Sequence, residues 1–256
     1  MMKRWAGKVA IVTGASSGIG VAISRSLVSH GVKVAGLARR MDKLQEIAKE
    51  LGKDKFFAVE CDLRKEEDIL KAFKLVEKQF GGADILVNNA GIAIPKKIID
   101  SDTEEYRKII ETNLIAPAIC AREAMQSLIK RKAAGHIINI NSIAGSYAES
   151  IFMPLGMYSA SKYGLRALGT ELRHEIVMSQ LNIKITNISP GVVDTQMIQA
   201  LFKERDRPQQ LKSLEDKDIA EAAIYALGTP ESVEIPEITI IPHKTAFCTV
   251  SAELTH

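Results

Sequence analysis

Short runs rich in Val, Ile and Ala alternate along the chain with longer stretches in which apolar residues recur every three or four positions. The first pattern predicts strands over Lys8–Thr13, Lys33–Ala38, Lys55–Glu60, Asp84–Asn88, Gly135–Asn141, Ile183–Ile188 and Glu237–Ile241. The second predicts helices over Ile19–His30, Asp42–Leu51, Lys65–Phe80, Thr103–Lys132, Met157–Ser179 and Asp216–Leu227. The strands are apolar at nearly every residue, as in a parallel sheet covered by helices on both faces. The repeat therefore predicts an α/β, doubly wound Rossmann-type fold with right-handed crossovers. No Pro/Gly/Ser-rich linker divides the chain, so residues 1–256 read as one domain, with 243–256 as a flexible tail or a subunit contact. Two connections are too long to be plain loops, one from Ile143 to Gly156 and one from Val192 to Leu214. Both follow strands, so both belong at the carboxyl edge of the sheet, where such folds bind ligands.

Composition narrows the class. The 256 residues carry a net charge of +3, with 25% charged and 46% hydrophobic positions. No run of Lys/Arg with interleaved aromatics points to nucleic acid. No stretch approaches the roughly 18 apolar residues of a membrane span. The opening MMKRWAGK is too short and polar for a signal peptide, which leaves a cytoplasmic protein as the default. Cys61, Cys120 and Cys248 are far apart and read as reduced thiols, with no metal-ligand spacing.

The candidate chemistry begins at Thr13-Gly14-Ala15-Ser16-Ser17-Gly18-Ile19-Gly20, directly after the first strand and before the first helix. Backbone N–H groups at such a helix start suit a pyrophosphate, which makes Gly14, Ser16, Ser17, Gly18, Ile19 and Gly20 cofactor-binding candidates. NAD-binding chains place an acid about 20 positions further on, for the ribose hydroxyls. Here the second strand ends Ala38-Arg39-Arg40. Paired guanidinium donors suit a 2′-phosphate, so Arg39 and Arg40 favour NADP(H). Asp62 and Leu63 end the third strand; Asp62 has two uses open to it, accepting from an adenine amino group or capping the next helix. Asn89, Ala90 and Gly91 end the fourth strand on the same edge.

Tyr158 and Lys162 stand four apart on a predicted helix and so share a face. A nearby ammonium lowers a phenol's pKa, which equips Tyr158 to exchange a proton with an alcohol or carbonyl. Ser142, at the end of the fifth strand, is placed to hydrogen-bond the substrate oxygen. Asn113 lies within a long helical pattern with Pro117 four residues later, so its carbonyl lacks the usual N–H donor and is free to hold a relay water for Lys162.

TGASSGIG, NNAG, Asn113, Ser142 with Tyr158 and Lys162, and Pro190-Gly191 followed by Thr195 occur in one order. On these motifs the sequence resembles the short-chain dehydrogenase/reductase family over nearly its whole length. The resemblance implies a seven-stranded parallel sheet of order 3-2-1-4-5-6-7 with helices on both faces. It implies a catalytic tetrad of Asn113, Ser142, Tyr158 and Lys162, with Tyr158 and Lys162 also touching the cofactor. It also implies that Pro190, Gly191, Val193 and Thr195 sit at the nicotinamide, and that the subunits form a homodimer or homotetramer. The Ser142-to-Tyr158 spacing of 16 residues is longer than in many members.

The two long connections offer Tyr147, Ile151, Phe152, Met153, Leu155, Met157, Met197, Ile198, Leu201 and Phe202. Of these, Tyr147, Phe152, Met153, Leu155, Met197 and Leu201, with Ser142, are the expected substrate contacts. An apolar pocket with few fixed polar groups suits a lipophilic alcohol or ketone. The segments Arg4–Ala10, Gly36–Arg40 and Pro154–Tyr163 resemble the insect farnesol dehydrogenase-like group, a neighbour of dehydrogenase/reductase member 11. That resemblance implies NADP-linked conversion of a terpenoid alcohol. Two alternatives stand beside it: a broad NADPH-dependent carbonyl or keto-steroid reductase, and a non-catalytic NADPH-binding regulator.

Overall fold

A computed structural model describes residues 2–151, 153–202 and 212–244. Seven strands form one sheet: β1 (Val9–Thr13), β2 (Lys33–Ala38), β3 (Phe56–Glu60), β4 (Ile85–Asn88), β5 (Gly135–Ile140), β6 (Ile183–Pro190) and β7 (Glu237–Ile240). Their order is β3-β2-β1-β4-β5-β6-β7, with every neighbouring pair parallel. This is the expected Rossmann-type topology. The order reverses between β1 and β4, and a crevice opens there at the carboxyl ends.

Successive side chains on a strand face opposite ways, so each strand feeds two cores. Ala10 and Val12 of β1 pack toward α1 (Gly18–Ser29), α2 (Met41–Leu51) and α8 (Asp216–Gly228). Val9 and Ile11 pack toward α3 (Glu66–Phe80), α5 (Ala116–Arg131) and α6 (Tyr158–Met178). All five β1 residues are buried, which is why the strand reads as a continuous apolar run.

One long helix was expected over Thr103–Lys132, and the structure breaks it. α4 (Thr103–Ile110) begins at a capping box made by Asp102 and Glu105. A wider π-turn follows over Glu111–Ile115, closed by Ala116 N–H to the Glu111 carbonyl. α5 then starts with a proline in its first turn. Pro117 brings no N–H, and the i→i+5 turn stands directly before it. Asn113 sits at the centre of that π-turn, fully buried. The second long connection also holds structure: α7 (Gln196–Leu201), with Thr195 as N-cap.

Asn88, Asn139 and Asn187 lie side by side on β4, β5 and β6. Asn88 Nδ2 donates to Asn139 Oδ1 at 3.0 Å, and Asn139 Nδ2 donates to Asn187 Oδ1 at 3.1 Å. Asn88 Nδ2 also reaches the Pro117 carbonyl, and Asn187 packs where a side chain on Gly169 of α6 would stand. This polar row lies directly below the ligand-binding edge.

His136 of β5 is fully buried. Its Nε2 meets Thr186 Oγ1 at 2.9 Å, and that hydroxyl donates to the Ile235 carbonyl. The threonine oxygen therefore accepts from Nε2–H, and Nδ1 is a bare buried acceptor. Burial, with Lys184 and Arg4 nearby, pushes the His136 pKa down to about 3 from 6.5. The unfolded chain takes up a proton below pH 6.5 while the native chain does not, so this residue removes stability as the pH falls from 6.5 toward 3. His136→Leu is expected to be more stable relative to the parent at pH 5 than at pH 8, as read by denaturant unfolding at the two pH values.

Candidate active site

The β1–α1 turn is shaped by close backbone approach. Gly14 and Gly18 have φ of +66° and +54°, a region that favours glycine. A Cβ on Gly20 would stand 2.4 Å from the Gly14 carbonyl oxygen and 2.6 Å from Asn89 Nδ2. The end of β4 is stapled to this turn. Asn89 Nδ2 donates to the Thr13 carbonyl at 2.9 Å, and the N–H groups of Asn89 and Ala90 donate to Thr13 Oγ1 at 3.0 and 3.1 Å. Ser17, the N-cap of α1, makes no side-chain cap. Its hydroxyl accepts from Arg40 Nη2 at 2.7 Å instead. The first turn of α1 thus keeps its N–H groups for an anion, and the site fits a pyrophosphate.

A cleft of about 590 Å³ runs along this edge. At the end near β2 and β3 it is lined by Arg39, Arg40, Asp62, Leu63 and Arg64. Arg40 also donates to Ser16 Oγ at 3.0 Å and to Gln196 Oε1 at 3.2 Å, so it spans from the glycine turn to α7. Of the two uses open to Asp62, capping the next helix is not the one it takes, and its side chain lines the cleft. Its carboxylate accepts from Arg64 Nε and Nη2 at 3.0 and 2.6 Å and from the Arg64 N–H at 3.2 Å, and α3 begins at Lys65 without a side-chain cap. The Arg64 hydrogen bond holds the Asp62 pKa below its usual value. Cys61 lines the same end, but burial pushes its thiol up to about 12, which makes it inert.

The other end brings Ser142, Tyr158 and Lys162 together. Tyr158 opens α6 and Lys162 follows one turn later, its Nζ 5.8 Å from the Tyr158 ring centre. Ser142 follows β5 and caps the short turn Ile143–Gly145. Lys162 is buried, its Nζ donates to the Ile140 carbonyl at 2.9 Å, and burial pulls its pKa down to about 8. Burial pushes the Tyr158 phenol up, and the group that pulls it down is Ser142, through a side-chain hydrogen bond.

Asn113 stands behind the cleft rather than in its wall. Its Nδ2 donates to the Ile92 carbonyl at 2.9 Å and to Ser161 Oγ at 3.0 Å, while its Oδ1 accepts from the Ile92 N–H at 2.9 Å. The amide is thereby spent on joining the β4 loop to α6, and only the main-chain carbonyl is left for a relay. A Cβ on Gly91 would lie 3.5 Å from Asn113 Oδ1 and 3.6 Å from Lys162 Nζ, so glycine there leaves open the space beside both.

Gly14, Ser16, Ser17, Gly18 and Ile19 line the cleft, as do Asn89, Ala90, Gly91, Pro190, Gly191, Val193 and Thr195; Gly20 lies behind the turn. Of the expected substrate contacts, Met153, Leu155, Met197 and Leu201 line it with Ser142. Tyr147 is not among the lining residues. The first long connection folds into short helical turns, Ile143–Gly145 and Ala148–Ser150, and leaves Tyr147 near Arg166 of α6. Phe152 lies outside the described residues. Arg64, Lys108 and Thr112 line the cleft without having been expected from sequence. Lys108 and Thr112 sit on helix and π-turn positions that no local motif marks.

The family profile of the short chain dehydrogenase matches residues 8–206. The chain belongs to the short chain dehydrogenase family. This short chain dehydrogenase is 43% identical over 245 residues to farnesol dehydrogenase of Aedes aegypti, covering 94% of this chain and 98% of that one. It is 41% identical over 257 residues to dehydrogenase/reductase SDR family member 11 of Homo sapiens, covering 94% and 96%. Among solved structures, the closed form of serine dehydrogenase complexed with NADP+ superposes with a TM-score of 0.85 at 29% identity, covering 94% and 98%. Among its described residues, no helix is long and apolar enough to cross a membrane. In this dehydrogenase the glycine turn leaves no room for an added methyl group. Gly20→Ala is expected to cost about 1–3 kcal/mol of stability, checked by denaturant unfolding.

Proposed function

We propose that this oxidoreductase uses NADP(H) to interconvert a lipophilic alcohol and its aldehyde or ketone, with a terpenoid alcohol such as farnesol as the substrate. The observation that carries the proposal is that one cleft joins an anion-ready glycine turn and two arginines to Tyr158, Ser142 and a buried Lys162 beside apolar walls. Arg39 and Arg40 in place of an acid favour the 2′-phosphate, and the serine dehydrogenase relative is a complex with NADP+. The farnesol dehydrogenase relative and the walls formed by Met153, Leu155, Met197 and Leu201 support the substrate class.

The dinucleotide, when bound, supplies the hydride donor or acceptor. The chain's own groups do the rest. The α1 N-terminus holds the pyrophosphate, and Arg39 and Arg40 hold the 2′-phosphate. Pro190, Gly191, Val193 and Thr195 border the nicotinamide end. Ser142 orients the substrate oxygen against Tyr158, whose hydroxyl gives a proton to a carbonyl or takes one from an alcohol. Lys162 keeps a cation beside the ribose and the phenol. Asn113, through its carbonyl, serves the proton path from Lys162 outward. The exposed Ile115 and Tyr163, on the elements that carry Asn113 and Tyr158, support a homo-oligomer through those faces.

A second reading is a broad carbonyl reductase working in the reducing direction. The raised Tyr158 pKa favours it, because a neutral phenol is ready to protonate a carbonyl. Nicotinamide absorbance with NADP+ or NAD+, offering farnesol, a simple secondary alcohol and, in reverse, a keto-steroid, separates the readings. Fast NADP+-dependent farnesol oxidation supports the first, and faster ketone reduction supports the second. Tight NADPH binding with no turnover would leave a non-catalytic regulator.

Tyr158→Phe is expected to keep dinucleotide binding and to lose about 10²–10⁴-fold in turnover, measured by fluorescence titration and steady-state rates. Alcohol oxidation needs the phenolate, so its rate rises with pH, while carbonyl reduction needs the phenol and falls. Ser142→Ala removes the group that lowers the Tyr158 pKa, so the rising limb of its pH–rate profile is expected to move to higher pH.

A further inference from the structure

Arg40 joins two segments that lie far apart in the chain. Its Nε and Nη2 donate to Ser16 Oγ at 3.2 and 3.0 Å, and Nη2 donates to Ser17 Oγ at 2.7 Å. Its Nη1 donates to Gln196 Oε1 at 3.2 Å, 156 residues away in sequence. Gln196 is the first residue of α7, the helix whose Met197 and Leu201 wall the cleft. The two segments meet because Gly18 has no Cβ; one there would stand 3.2 Å from Thr195 Cγ2. Arg40 is exposed. Without these contacts such a side chain samples many rotamers, and a phosphate has to stop that motion as it binds. The serines take the N–H groups of Nε and Nη2, and Gln196 takes one of the pair on Nη1, which leaves the other. Each serine hydroxyl accepts from Arg40 and so keeps its own proton to give. One guanidinium N–H and two hydroxyls are thus held together, a donor set that matches the terminal oxygens of a phosphate monoester.

We infer that Gln196 is a positioning residue for the 2′-phosphate of NADP(H): its amide oxygen fixes the Arg40 guanidinium against Ser16 and Ser17 before the dinucleotide arrives. Cofactor discrimination is then set in part from α7, the helix on the substrate side. A neutral amide suits the task. A carboxylate at this position would hold Arg40 more tightly but repel the dianion, and an apolar residue would leave the Nη1 end free to swing. NADH has no 2′-phosphate and gains nothing from a fixed Arg40, so Gln196 acts on one of the two cofactors only.

Because this inference rests on the NADP(H) reading above, the test measures binding of both dinucleotides rather than turnover. NADPH and NADH are titrated into the full chain and followed by nicotinamide fluorescence, in the parent, Gln196→Ala, Arg40→Ala and the double variant. Gln196→Ala is expected to weaken NADPH by about three- to tenfold, the scale of immobilising one long side chain, and to leave NADH within about twofold. In the Arg40→Ala background the same substitution is expected to change neither constant, because the group that Gln196 positions is gone. A glutamine that merely supports α7 would weaken both dinucleotides alike, or would act as strongly without Arg40. Either result overturns the inference, as does an NADPH constant that is unchanged or lowered in Gln196→Ala. A parent chain that binds NADPH no more tightly than NADH overturns the cofactor reading itself, a result read before any variant is made.

Discussion

Three asparagine side chains hydrogen-bonded in a row, Asn88 to Asn139 to Asn187, tie β4, β5 and β6 together just beneath the cleft. Each amide in the row is buried, so removing one leaves its neighbour without a partner and without water. The row also reaches outward. Asn88 touches the Pro117 carbonyl at the start of α5, and Asn187 fills the space beside Gly169 on α6. Asn113 lies just before the first of those helices, and Tyr158 and Lys162 lie on the second. The relative placement of the reacting groups thus depends on a polar network inside an otherwise apolar sheet, where low dielectric makes each bond count.

The same burial that makes the sheet stable sets the chemistry of its edge. It pushes the Tyr158 phenol up and pulls Lys162 down to about 8. Both shifts disfavour the charged form, and only Ser142 opposes the first. It also silences Cys61, at about 12, and holds His136 neutral, at about 3. Desolvation is therefore the common cause, and hydrogen bonds from single neighbours correct it locally. Ser142 matters doubly, because it lines the cleft and moderates the phenol.

Much of the site was legible in the sequence because its signals are local. A glycine turn after a strand, a Tyr and a Lys one helical turn apart, and two arginines at a strand end each carry their geometry within a few residues. Residues that act through contacts distant in sequence were not legible in that way. Arg64 carries no local motif, and only the turn that closes on Asp62 sets it in the cleft lining. Tyr147 was expected in the pocket from its place in a long connection, which folds into short helical turns and leaves Tyr147 out of the cleft lining. The Asn113 side chain was read for its backbone carbonyl, whereas its amide also joins Ile92 to Ser161.

The pattern of the sequence determined the parallel sheet, the two-faced burial and the edge at which the motifs meet, while the strand order came from the family resemblance. Continuous apolar strands separated by amphipathic helices have few ways to bury themselves, and right-handed crossovers prune those further. Only the tertiary structure decided how Pro117 is absorbed, by a π-turn rather than a kink, because that depends on helix packing on both sides. Only it decided that burial pushes the Tyr158 phenol up and that a Ser142 hydrogen bond opposes this, because a pKa follows from what surrounds a group.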